Sequence, residues 1–164
     1  DTIFPPASMA KIMTMEVVFD GLASGRLSLE DLFPISENAW RSGGANSGGS
    51  TMFAKLNSDV RLEDLIRGVI VQSGNDASIA IAEGMAGSES AFAGLMTERA
   101  RKIGLETSVF KNSTGLPDPG QKVTARELAR LAVHIITTYP QHYRYYSEPL
   151  FEWNRIKQRN RNPL

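Results

Sequence analysis

The chain has 164 residues, 41% hydrophobic and 22% charged, enough apolar material for one packed domain and too much for a disordered chain. Eighteen basic residues balance eighteen acidic ones, so no net charge draws the chain to nucleic acid or to an anionic membrane. The absence of cysteine excludes disulfides, thiolate catalysis and cysteine-ligated metal, and two histidines, His134 and His142, are too few for a histidine-rich metal site.

In chain order, Pro5-Pro6-Ala7-Ser8 opens a helix over roughly 8–23, where Met9, Ile12, Met13 and Val17 recur at helical spacing and Gly25 is a natural stop. Met15, Val18 and Phe19 make its other face apolar too, which predicts burial on most sides. Leu32 to Ile35 and Val60 to Leu62 are expected to form a small strand pair. Between them, the Gly/Ser-rich loop 42–50 reads either as a linker or as a loop over a site. A helix face follows at Leu62, Leu65, Ile66, Val69 and Ile70. Gln72-Ser73-Gly74-Asn75 interrupts it, and Asn75 or Asp76 can cap the next helix. Ser88 caps a helix that Gly104 stops. Asn112 to Gly120 is a turn-rich connection. Thr124 and Glu127 form a capping box for a helix that ends before Pro140, with Leu128, Leu131, Ala132, Ile135 and Ile136 turned inward. Beyond it, Arg155, Lys157, Arg159 and Arg161 alternate at period two, as on a strand with one basic face. A solvated face explains that stripe more simply than nucleic acid does. No apolar run approaches the roughly 18 residues that span a bilayer. The result is a mainly α chain with very little sheet.

Ser8 and Lys11 lie three residues apart at a helix start, which puts hydroxyl and amine on one face. A serine hydroxyl attacks only when a base takes its proton, and a lysine is such a base only when burial or a neighbouring cation depresses its pKa. Ser8 suits a plain helix cap about equally well. Ser-x-x-Lys also occurs as Ser108 to Lys111, and Ser-x-Asn occurs both as Ser36-Glu37-Asn38 and as Ser73-Gly74-Asn75. Context favours Ser8, at the head of the apolar helix, and Ser73, in a polar break whose backbone groups must find partners.

Taken together, Pro6-Ala7-Ser8-Met9-Ala10-Lys11-Ile12-Met13-Thr14, Ser36 to Trp40, Ile66-Arg67-Gly68, Gln72 to Ala77, Phe110-Lys111-Asn112, Gly115-Leu116-Pro117, Thr124 to Ala129 and Asn160-Arg161-Asn162 resemble the serine D-alanyl-D-alanine carboxypeptidases. These are low-molecular-mass penicillin-binding proteins, related to class A β-lactamases, with a Ser-x-x-Lys, Ser-x-Asn and Lys-Thr-Gly motif set. The resemblance implies the helix-rich part of an α+β DD-peptidase fold. Residues 1–164 would form a single partial transpeptidase-like domain with most of the antiparallel sheet missing, and both ends read as cut. It implies Ser8 as nucleophile, Lys11 as base, Ser73 as proton relay, and Asn75 as positioner of substrate and Lys11. Arg161 would help orient a substrate carboxylate. No cofactor and no metal are implied. The implied partners are a peptidoglycan stem peptide and β-lactam antibiotics, in the periplasm or cell envelope, with any membrane anchor outside this chain.

No Lys-Thr-Gly occurs, and Ser113-Thr114-Gly115 lacks its cation. Two expectations follow: the stretch alone has little activity, and the Ser8 helix exposes an apolar face. The alternatives are a β-lactamase, disfavoured because Lys111 to Thr124 offers no glutamate, and a non-catalytic helical interaction module.

Overall fold

The computed structural model describes residues 2–161, and Asn162 of the Asn-Arg-Asn segment lies outside them. Two-residue β1 (Ile3–Phe4) leads through Pro5-Pro6 into a 3₁₀ turn at Ala7–Met9 and then α1 (Ala10–Ala23). The remaining elements are β2 (Leu32–Pro34), α2 (Glu37–Gly43), β3 (Asp59–Arg61), α3 (Leu62–Gln72), α4 (Asn75–Ala86), α5 (Glu89–Lys102), β4 (Val123–Thr124), α6 (Ala125–Thr138), α7 (Pro140–Tyr143), β5 (Leu150–Trp153) and β6 (Ile156–Arg159). The strands form three separate antiparallel pairs, β1–β4, β2–β3 and β5–β6. The strand pair expected around residues 32 and 60 is present, with Leu32 opposite Arg61.

α1 is the axis of the core. Met13, Met15, Val18 and Phe19 are all buried, and α3, α5 and α6 pack around the helix. This corrects the expected exposed apolar face: Ile12 is half-buried, and Met9, at the preceding turn, is the exposed apolar side chain there. Among the described residues, most polar groups inside the core are paired, the exceptions being Ser113 Oγ and Tyr146 Oη. Glu16 is completely buried and accepts two hydrogen bonds from Arg99, at 2.6 and 3.2 Å. It also contacts His134 Nε2 at 3.2 Å and accepts from Tyr139 Oη at 3.2 Å. His134 is thus a structural partner of a buried carboxylate, and Glu16 keeps the Arg99 guanidinium protonated well above its ordinary range.

Several local expectations are corrected. The segment 42–50 is no free loop: Ser42 and Gly43 end α2, and Ala45–Ser47 form a 3₁₀ turn. Neither Asn75 nor Asp76 caps α4. Gly74 is the N-cap, and Asn75 is the first helical residue. Thr124 does cap α6 by accepting from the Glu127 backbone N–H, but Glu127 does not close a capping box. Its carboxylate turns instead to Thr107 N at 2.8 Å and Ser108 Oγ at 2.5 Å. Ile136 is exposed, because the inward stripe of α6 runs through Leu131 and Ile135. The basic stripe is broken by a hairpin turn, Asn154-Arg155, with both residues at positive φ, which leaves Lys157 and Arg159 on β6. Ser88 caps α5 as expected.

Candidate active site

Ser8 sits in the 3₁₀ turn that feeds α1, with its side chain open to solvent. The preceding residue, Ala7, has φ +49°, a left-handed conformation that costs a non-glycine residue about 1–3 kcal/mol and survives only where its surroundings impose it. Gly115 packs directly against the Ala7 carbonyl. A methyl group there would lie 1.7 Å from the Ala7 carbonyl oxygen, and Gly115 itself has φ +82°. Only glycine tolerates both conditions.

One helical turn beyond Ser8, Lys11 is 5% exposed. Its Nζ donates to Ser8 Oγ at 3.4 Å and to the Thr114 carbonyl at 2.6 Å. Three residues further on the same face, Thr14 Oγ1 donates to the Ser113 carbonyl at 2.8 Å. The turn 112–117 therefore grips α1 at two points. Asn112 shapes this turn, its Oδ1 accepting from Gly115 N at 2.8 Å and its Nδ2 donating to Leu116 O at 3.0 Å. Burial, assisted by the charge of Arg161, pulls the Lys11 pKa down to about 8. An amine titrating there supplies free base near neutral pH.

Ser73 ends α3 in the left-handed region, at φ +55° and ψ +35°. Its backbone N–H donates to Gly68 O, and the chain turns sharply into α4. The turn brings Ser73 to the same small cavity, about 110 Å³, that Ser8 and Lys11 line together with Val69, Ile70 and Tyr146. Asn75 is buried at the start of α4 and lines a second cavity of about 330 Å³ with Ser8, Thr114, Gly115 and Leu116. Ser8 lines both cavities. Arg161 is exposed. Its backbone N–H donates to Val71 O at 3.3 Å, and its charge reaches Lys11.

Asp76 supports Asn75 from behind. Its fully buried carboxylate accepts from Thr51 Oγ1 at 2.8 Å, Met52 N at 2.9 Å, Ala54 N at 3.0 Å and Ala77 N at 3.0 Å. The start of α4 favours this anion through its exposed N–H groups. The segment 51–54 is thereby fixed against the helix, and Ser50 O accepts from Asn75 N at 2.8 Å.

The competing motifs are spent elsewhere. Ser108 is buried on Glu127, and Ser36 caps α2 while donating to Glu83 at 2.5 Å. The roles of Thr114, Gly115 and Asp76 escaped the sequence reading. Thr114 and Gly115 act through backbone atoms, which side-chain motifs do not report. Asp76 adjoins Ser-x-Asn, and an acid at the head of an apolar helix was its one available signal. Among the described residues no cluster of His, Asp and Glu could hold a metal ion, and no helix is long and apolar enough to cross a membrane.

A family profile described as D-alanyl-D-alanine carboxypeptidase matches residues 1–164. D-alanyl-D-alanine carboxypeptidase DacC of Escherichia coli (strain K12) is 43% identical over 165 residues, covering all of this chain and 41% of that protein. Penicillin-binding protein 5 from Haemophilus influenzae superposes with a TM-score of 0.93 at 41% identity, over 99% of this chain and 46% of that one. Penicillin-binding protein D2 from Listeria monocytogenes, solved in a cefotaxime-bound form, has a TM-score of 0.83 at 22% identity, a likeness of fold. The chain spans about 40% of the length of the curated relatives it matches.

Proposed function

This chain belongs to the D-alanyl-D-alanine carboxypeptidase family, and on that premise we propose that its site is a serine-peptidase centre that removes the terminal D-alanine from peptidoglycan stem peptides. The observation that carries the reading is the Ser8 hydroxyl against a buried lysine of depressed pKa, with Ser73 on the same cavity.

Neutral Lys11 accepts the Ser8 proton as Oγ attacks the carbonyl of the penultimate D-alanine. The carbonyl oxygen takes up negative charge, and the Ser8 backbone N–H at the helix start is a donor for it. As the peptide C–N bond breaks, the proton passes from Lys11 through Ser73 to the leaving amine, and D-alanine departs with its electron pair. Water then attacks the Ser8 ester, transfers its proton back through Lys11 to Ser8 Oγ, and releases the shortened peptide. Asn75 positions the acyl portion, and Arg161 faces the substrate carboxylate on the leaving side.

A β-lactam acylates Ser8 by the same attack, and its ring-opened product stays attached. We place the reaction in the cell envelope, where the substrate is. This stretch alone lacks Lys-Thr-Gly, whose strand supplies in the family a second oxyanion donor and a carboxylate-binding cation. Loss of one such donor typically costs about 10²–10³ in rate, so residues 1–164 by themselves react slowly.

The test is labelling by a fluorescent penicillin, together with D-alanine release, in the protein that carries this chain. Ser8→Ala abolishes both. Labelling that survives this substitution assigns the nucleophile elsewhere.

A further inference from the structure

The charge of Arg161 reaches Lys11 from just past the end of β6, a strand with little of its own to hold it there. Ile156, Lys157 and Arg159 are exposed and Gln158 is half-buried, so no side chain of β6 enters the core. The ladder with β5 ends at the pair Leu150 and Arg159, two residues short of Arg161. A two-stranded hairpin is marginal by itself in water. Phe151 is buried and anchors β5, but the far end of β6 is fixed by hydrogen bonds.

Those bonds run to the elements that build the site. The buried Gln72, directly before Ser73, donates from Nε2 to the Arg159 carbonyl at 3.0 Å. Gln158 Nε2 donates to the Thr51 carbonyl at 3.0 Å, and Thr51 is itself held by Asp76. Asn160 N donates to Pro149 O at 2.8 Å, and Arg161 N to Val71 O at 3.3 Å. Both glutamines act through neutral amides. An amide fixes the strand without adding a charge of its own near Lys11. The groups that face Lys11 are the Ser8 hydroxyl, the Thr114 carbonyl, Ser73 and Tyr146, whose hydroxyl burial keeps protonated. Arg161 supplies the charge that acts on it.

We propose that Gln72 and Gln158 are positioning residues, whose side-chain amides strap the end of β6 to α3 and to the segment 51–54 and so keep the charge of Arg161 on Lys11. The inference rests on the proposed serine-peptidase reading and adds to it two residues that act on the base through Arg161.

The experiment measures the pH dependence of acylation by a fluorescent penicillin in the protein that carries this chain. The variants are Gln72→Met, Gln158→Met, Arg161→Gln and the two double variants that combine a methionine with Arg161→Gln. Methionine keeps the length of glutamine and removes its donor, and chemical denaturation shows which variants fold. Gln158 is half-buried, so Gln158→Met keeps the test open if Gln72→Met fails to fold. Each methionine variant is expected to move the midpoint of the limb up and to lower the rate at pH 7 by about two- to threefold, the size of a screened charge drawn away. In the Arg161→Gln background the same substitutions are expected to leave the midpoint where Arg161→Gln puts it, because residues that act through one group are not additive. A midpoint left unmoved by either folded variant, or moved equally with and without Arg161, overturns the inference and leaves Ser8 as the nucleophile. No acylation of the unsubstituted protein at any pH overturns the serine-peptidase reading, and the inference with it.

Discussion

If Lys11 is the base, the rate of Ser8 acylation is set by the fraction of Lys11 that is neutral. With a pKa of about 8, roughly a tenth of molecules hold a neutral amine at pH 7, against about three in ten thousand for a lysine at its ordinary 10.5. Burial of Lys11 therefore supplies about 300-fold more base at neutral pH. The second-order rate constant for acylation by a fluorescent penicillin, measured in the protein carrying this chain, should climb with pH along a limb whose midpoint is about 8. Between pH 7 and the plateau the rise is about tenfold. Arg161→Gln removes a cation that disfavours the ammonium, so the midpoint moves up and the rate at pH 7 drops. The competing titrations fall elsewhere: burial lowers His142 below its ordinary value and pushes the buried Tyr146 hydroxyl far above its own. A profile that is flat from about pH 6 to 9 refutes Lys11 as the base, and a midpoint unmoved by Arg161→Gln refutes the electrostatic link.

The same titration affects stability. The folded chain holds Lys11 at a lowered pKa, so between about 8 and 10.5 the unfolded state binds more protons and stability rises with pH. Lys11→Met should thus stabilise the protein at pH 7 by at most about 3 kcal/mol, less the loss from leaving Thr114 O unpaired. The gain should shrink as pH rises through that window, and chemical denaturation at several pH values reads it out. Gly115→Ala forces a methyl into the Ala7 carbonyl at positive φ and should cost about 1–3 kcal/mol in the same assay; a neutral result refutes the close approach. Asp76→Ala strips the acceptor from Thr51, Met52 and Ala54 and should lower stability by about 3 kcal/mol. Asp76→Asn, which keeps one acceptor oxygen, should cost less; equal losses would refute the need for a doubly accepting group.

What the sequence made legible was the juxtaposition of side chains held at fixed helical spacing. Ser8 and Lys11 share a face because they are three residues apart on a helix, and Ser73 was marked by a polar break between two apolar helices. The order of the helices was legible for the same reason, since apolar residues recur at the helical period within each, as Leu62, Leu65, Ile66 and Val69 do in α3. What escaped is carried by backbone atoms and by pairings distant in sequence. Thr114 contributes a carbonyl to a lysine 103 residues away. Gly115 contributes the absence of a side chain. Glu127, legible as half of a capping box, is diverted to Thr107 and Ser108 by a tertiary contact no local pattern contains. The burial of α1 on most sides was readable from its largely apolar surface. The contrary expectation arose from assigning one of those faces to a sheet, whereas α3, α5 and α6 together close around the helix.

Ser8 lines two cavities at once. If it is the nucleophile of the proposed reaction, the two halves of a cleaved peptide would have separate doors. The Lys11–Ser73 compartment would empty with the first product while the acyl chain kept the other. Partition between hydrolysis and transfer would then be a contest for one small compartment of about 110 Å³, beside Tyr146 and Val69.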